Sequence, residues 1–222
     1  MRLVLATTLI AGALAVQCLS VAAHADPETC PTVCDRIPDT AWIPSSAIPL
    51  NSTYHWPSLA GVAVPMTGTA TPRFRFEEVC ATAAFPQDTR NSAVASRAVV
   101  VNPQGQWQLQ AEVVHWRGDT ARGGQSASSV FGVAAAALRS CQLGAATESP
   151  SVTVDEPNRL AAVISGPVIM HTYLVVQPEN STISELTLWS AEPPQVPWPV
   201  ISDDQVLDAM TSPVCAAYIG SC

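Results

Sequence analysis

Residues 106–116, QWQLQAEVVHW, alternate apolar and polar side chains, a period of two that a strand can use and a helix cannot. Trp107, Leu109, Ala111, Val113 and His115 share one face, and Gln106, Gln108, Gln110 and Glu112 share the other. The turn-forming Asn102-Pro103-Gln104-Gly105 precedes them, and residues 94–101 before it are rich in Val and Ala, so a hairpin is expected. Strand signals resume at 151–155, 160–165, 168–176 and 182–190, the last two flanking the turn Gln177-Pro178-Glu179-Asn180-Ser181. Links this short join antiparallel neighbours.

Between the two groups of strands, residues 126–141 carry Val130, Phe131, Val133, Ala134, Ala137, Leu138 and Cys141 at helical spacing on an alanine-rich background, with Gly144 just beyond. Arg122-Gly123-Gly124-Gln125-Ser126 reads as the loop before that helix. It is either a plain capping loop or a weak anion site built on free backbone N–H groups. A shorter helix is expected from Ser202-Asp203-Asp204, a cap followed by acids, to about Met210. The expected fold is α+β, an antiparallel sheet of hairpins with one long and one short helix packed on it. It occupies residues 73–222. Residues 26–72 hold eight prolines with Trp42, Tyr54 and Trp56 among them. An extended segment lying across the domain, anchored by its aromatics, is the expectation there.

The chain begins Met1-Arg2 and is apolar or small to Ala23, and Ala23-His24-Ala25 then precedes the polar Asp26. That layout fits a secretory signal of residues 1–25 cut after Ala25, the alternative being an uncleaved anchor. Cys18 follows Gln17, where a lipid-attachment motif needs a small residue. No other apolar run reaches spanning length, so no stable membrane insertion is expected after cleavage. The net charge is −8 with no lysine, and losing Arg2 with the signal leaves −9. Such a surface repels nucleic acid.

Cys30, Cys34, Cys80, Cys141, Cys215 and Cys222 remain, an even set that reads as disulfides in an exported chain. Their spacings and the lack of a nearby histidine do not suit a metal. Cys141 ends the long helix on its apolar side, and Cys80 follows Arg73-Phe-Arg-Phe-Glu-Glu-Val79 at the entry to the domain. A bridge between them would pin helix to entry segment. The other four either close locally at each end or cross-link the two ends, and the small ring that Pro31 would share disfavours local closure.

This order of parts resembles the extracellular sensor-domain family of mycobacterial receptor kinases (the PknH-like sensor domain), which includes free-standing exported proteins. The likeness rests on an export signal, a Pro-rich lead, the Cys80 segment, a hairpin, a helix ending Leu138-Arg-Ser-Cys141, and hairpins ending Leu186-Thr-Leu-Trp189. It covers residues 73–210 and is carried by layout and cysteine position. It implies an antiparallel sheet with helices, a disulfide matching Cys80–Cys141, and a cleft for an unidentified ligand. The chain departs from the family in placing its further cysteines at its ends, and it carries no kinase domain.

No nucleophile elbow, metalloprotease helix or phosphate loop is present, and nothing calls for a cofactor. His115 and His171 read as core or rim histidines, whereas His55 beside Trp56 is a weak candidate for lining a groove, as is Arg122 for an anion. The adjacent acids Glu77-Glu78, Asp155-Glu156 and Asp203-Asp204 read as solvated charge or helix-dipole partners. The expectation is a non-enzymatic, exported, disulfide-stabilised protein that binds a small molecule, an envelope component or a partner protein. The alternatives are a secreted hydrolase using His115 or His171 as base, and a structural envelope protein. N-terminal sequencing of the mature protein is expected to start at Asp26, and residues 1–25 still attached would contradict the cleavage.

Overall fold

A computed structural model of the protein describes residues 36–66 and 71–218. Its centre is one seven-stranded antiparallel sheet. In chain order the strands are β1 (Val64–Pro65), β2 (Val94–Val100), β3 (Gln108–His115), β4 (Ser149–Asp155), β5 (Arg159–Ser165), β6 (Val168–Gln177) and β7 (Thr182–Ala191). In space they run β1-β2-β3-β7-β6-β5-β4. Every expected hairpin is present. The pairing that makes one sheet of the two groups is β3 with β7, which sets Leu109 against Leu188, Ala111 against Leu186 and Val113 against Ser184.

The helices are α1 (Asn51–Tyr54), α2 (Leu59–Val62), α3 (Arg75–Val79), α4 (Thr120–Arg139), α5 (Cys141–Gly144) and α6 (Asp203–Ala217). One face of the sheet, carrying Trp107, Leu109, Tyr173 and Leu186, packs against Val206, Leu207 and Met210 of α6 and against Trp42, Ile48 and Trp56 of the Pro-rich lead. The other face, carrying Val114, Leu160, Leu174 and Ile183, packs against Phe131, Ala134 and Leu138 of α4 and against Phe74 and Phe76. Each large apolar side chain buried this way contributes roughly 1.5–3 kcal/mol. The central strands therefore have no solvent face. The alternation along β3 reads as a half-buried strand, but its polar side is closed as well: Gln110 is 5% and Glu112 0% exposed.

The described part of the lead, residues 36–66, is anchored by its aromatics, but it is coiled rather than extended. Single turns at Asp39–Ala41, Ser45–Ala47, α1 and α2 follow one another, and β1 then joins the edge of the sheet. Pro38 and Pro44 stand at the N-caps of the first two turns. A proline forbids continuing a helix through it but permits a turn to begin after it, so closely spaced prolines yield separate turns. Trp56 is 4% exposed and donates its Nε1–H to the Pro49 carbonyl at 2.8 Å.

The long helix starts at Thr120, so Arg122-Gly123-Gly124-Gln125-Ser126 is helix and not loop. Asp119 caps it, accepting the Arg122 N–H at 2.9 Å. The two glycines suggest a break because each costs about 1 kcal/mol in a helix. Here they let the β6–β7 turn lie on the helix backbone. A Cβ on Gly124 would come within 2.4 Å of the Pro178 carbonyl oxygen, and one on Gly123 within 2.4 Å of Ser181 Oγ. The C-terminal helix likewise runs past Met210 and through Pro213 to Ala217. Asn180 donates to the Val214 carbonyl at 3.0 Å and holds that last part against the same turn.

Cys80 and Cys141 form a disulfide, joining the end of α3 to the start of α5, just beyond α4. Cys215 is also disulfide-bonded, while Cys30, Cys34 and Cys222 lie outside the described residues. The Cys80–Cys141 bridge closes a loop of 61 residues. Replacing both cysteines with serine is expected to lower stability by roughly 4 kcal/mol through the entropy returned to the unfolded chain. The measurement is the shift in denaturant midpoint, and an unchanged midpoint would contradict it.

Candidate functional site: an acidic pair under a tethered strap

In the β3–β7 register, Glu112 stands directly opposite Glu185. Both are 0% exposed. Like charges at opposed positions of a sheet repel, and burial adds a desolvation cost, so such a pair needs compensation. Arg97 on β2 supplies part of it. It stands opposite Glu112 and grips Oε2 with Nε at 2.7 Å and Nη2 at 2.6 Å. Glu185 Oε1 accepts the backbone N–H of Arg75 at 2.7 Å and the Thr187 hydroxyl at 3.2 Å, and its Oε2 takes a long bond of 3.4 Å from Gln110. Glu112 Oε1 is buried with no hydrogen-bond partner.

Above the pair lies residues 73–79, a strap ending in α3. It is pinned to the acids at its start: Arg97 Nη2 donates to the Arg73 carbonyl, as the Arg75 N–H does to Glu185. Its far end is tethered by Cys80. Within the strap, Glu77 is buried, not solvated as its place in Glu77-Glu78 suggests. It accepts the Phe74 N–H at 2.8 Å and both terminal nitrogens of Arg90, at 2.7 and 3.0 Å. Arg90 also bonds Asp88 at 2.6 Å and lies over the Phe74 ring. Arg75 turns its guanidinium outward, to Glu78 and across the Trp189 ring at 4.8 Å.

Glu77, Asp88, Glu112 and Glu185 thus face two guanidiniums, Arg90 and Arg97. Burial acts on the two carboxyls that this leaves least compensated. Burial pushes the Glu112 carboxyl up to about 7, with Arg97 opposing. Burial, reinforced by the Glu112 charge, pushes Glu185 up to about 8. Desolvation of this kind holds carboxyls neutral near pH 7.

The histidines lie on the opposite face. His171 stacks on Trp198 at 3.6 Å with Trp107 tilted against both, and its Nδ1 is buried without a partner. His115 shares a hydrogen bond with the Thr182 hydroxyl at 2.9 Å and stacks on Tyr218 at 4.3 Å. Burial lowers each imidazole to about 4. The Asp203 charge beside His171 opposes this without overcoming it, and Asp203 accepts the Tyr173 hydroxyl at 2.8 Å.

The weak ligand candidates do not converge. His55 is exposed, whereas Trp56 beside it is a core anchor stacked on Tyr54 at 4.9 Å. Arg122 is exposed on the first turn of α4, where the Asp119 carboxylate takes the position an anion would occupy. The lead does carry a cleft of about 340 Å³, but Asp39, Trp42, Ser45, Ser46, Ser58 and Leu59 line it. Among the described residues, no group of three or more His, Cys, Asp or Glu side chains could hold a metal ion. No helix there is long and apolar enough to cross a membrane. No family model, curated protein or solved structure matches the chain.

A depressed histidine pKa contributes stability that is complete above the unfolded value of 6.5 and is lost as pH falls towards 4. Glu112 and Glu185, with raised values, contribute in the opposite direction over the same interval, so the expected signature of His171 is that unfolding free energy falls relative to that of His171→Ala as pH drops from 6.5 towards 4. That variant is also expected to lose about 1–3 kcal/mol near neutral pH through lost packing. Urea midpoints measured against pH check both, and a His171→Ala variant of wild-type stability and pH profile would contradict the architectural role.

Proposed function

We propose that the chain is an exported, disulfide-stabilised, non-enzymatic binding protein of the cell envelope, of the sensor-domain type, holding a small molecule in the cleft beside Trp42. The observation that carries this reading is the Cys80–Cys141 bridge between entry strap and long helix, at the place the sensor-domain resemblance implies. The single antiparallel sheet with helices on it supports it further, and a disulfide suits an oxidising compartment outside the cytoplasm. The cleft is of ligand size, at about 340 Å³, and combines the Trp42 and Leu59 surfaces with Ser45, Ser46, Ser58 and Asp39. Asp39 and the three serines supply the polar groups that would orient a small molecule there. The hydrolase alternative needs an accessible imidazole base, and both candidate histidines are stacked against aromatic rings with their protonated forms disfavoured.

Native mass spectrometry of the full chain purified from its own host is expected to show a bound mass. Ser46→Trp, which fills the cleft, is expected to remove it. A bound mass that survives Ser46→Trp would move the site elsewhere. Turnover of an ester, peptide, glycoside or amide substrate, lost in a stable His115→Ala or His171→Ala, would overturn the binding reading.

A further inference from the structure

We propose that the strap of residues 73–79 is a proton-operated latch: closed, it holds a proton on the Glu112–Glu185 pair, and lifting residues 73–75 releases it. Three features of the geometry carry this. The acids stand directly opposite each other with no water-exposed surface, and one oxygen of Glu112 has no partner. The strap's own backbone makes the contacts that seal them, through the Arg75 N–H on Glu185 and the Arg73 carbonyl on Arg97. The far end is fixed covalently at Cys80, so the strap opens from its Arg73 end without leaving the molecule.

The charges facing the pair are Arg97 from β2, Glu77 from the strap, and Arg90 from the turn Thr89–Ser92. Arg90 is occupied by Glu77 and Asp88, and Arg75 by Glu78. Below the pair the sheet presents only neutral Gln110, Thr172 and Thr187. The titratable side chains of α4, Arg122 and Arg139, are exposed near its ends, Arg139 paired with Asp155. Among the described residues, Arg97 is therefore the one guanidinium bonded to the pair. With the strap closed both carboxyls keep raised pKa values, whereas water reaching them on opening returns both to the ordinary carboxylate range. The open form binds fewer protons, so its population rises as pH rises, by about tenfold per pH unit for one proton released. Phe74 and Phe76, both 0% exposed, keep the open form rare, which makes it a state to be read by exchange. Lifting residues 73–75 uncovers the Glu112–Glu185 pair and Trp189, on which Arg75 lies. The latch is a pH-gated way to present that surface, independent of the cleft beside Trp42.

The test is amide hydrogen exchange of the full, disulfide-intact chain, expressed as protection factors that remove the intrinsic pH dependence of exchange. The Arg75 amide is expected to lose protection by about tenfold or more between about pH 6 and about pH 8, and to stay less protected throughout than β6 and β7 amides such as those of His171 and Leu188, which exchange through global unfolding. Glu185→Gln retains an acceptor for the Arg75 N–H and removes one of the two titrating carboxyls, and its Arg75 protection is expected to fall less steeply with pH, the remaining slope coming from Glu112. A flat wild-type profile, an unchanged slope in Glu185→Gln, or Arg75 protection equal to that of His171 and Leu188 would each overturn the latch. Should Glu185→Gln fail to fold, the wild-type contrast between Arg75 and the strand amides decides alone. No ligand enters the measurement, so its outcome is separate from that of the binding test.

Discussion

The pairing of β3 with β7 is the contact on which the rest of the molecule depends. It joins strands some seventy residues apart, and without it the β2–β3 hairpin and the β4–β7 group would be separate sheets, each with an uncovered face. Once formed, it gives Leu109, Ala111 and Leu186 a common side for α6 and the lead, and Val114 and Ile183 a common side for α4. It also fixes the one costly feature of the core, two carboxyls face to face at its centre. A shift of register by one residue would move every side chain to the other face. Apolar complementarity thus sets the register, and the acid pair is carried along with it.

Two further devices follow from that constraint. The strap closes the acids from water and contributes its own backbone to them, and the disulfide holds the strap to α4, which packs on the same face. Removing a partner from a buried charge leaves it uncompensated, at a cost of several kcal/mol, so the cluster of Arg97, Glu112, Glu185 and the strap behaves as a unit. The Glu77–Arg90–Asp88 group next to it is better matched: its guanidinium bonds two carboxylates and stands over the Phe74 ring. The contrast explains why protonation falls on the Glu112–Glu185 pair.

Much of the sheet was legible in the sequence because its hairpins are local. Strand periodicity and turn residues placed β2 to β7 to within a few positions, and the aromatic residues marked the lead as packed. What escaped the sequence was non-local. Glu112 looked solvated because its hairpin gives one apolar and one polar face, and only β7 and the strap reveal that the polar face is covered. A signal was present in β7, where Glu185 interrupts Ile183-Ser-Glu-Leu-Thr-Leu188, an otherwise apolar and small strand of the kind buried on both faces. The start of α4 was misplaced for a similar reason. Gly123 and Gly124 argue against a helix locally, and the turn at Pro178 that needs them lies far along the chain. The candidate site shares this limit, since Trp42, Ser46 and Ser58 come together only through the folding of the lead, while His55 and Trp56, adjacent in sequence, part company.

The central physical claim is that a carboxyl in the middle of this sheet stays protonated at neutral pH. Carbon-13 NMR titration of the glutamate side-chain carboxyls reads this directly, with Glu112→Gln and Glu185→Gln spectra assigning the resonances. At least one of the two is expected to titrate near 7 or above, in line with the raised values of about 7 and about 8. If both titrated in the ordinary carboxylate range near 4.5, the pair would be fully ionised in the folded protein, and the buried charge balance described above would be wrong.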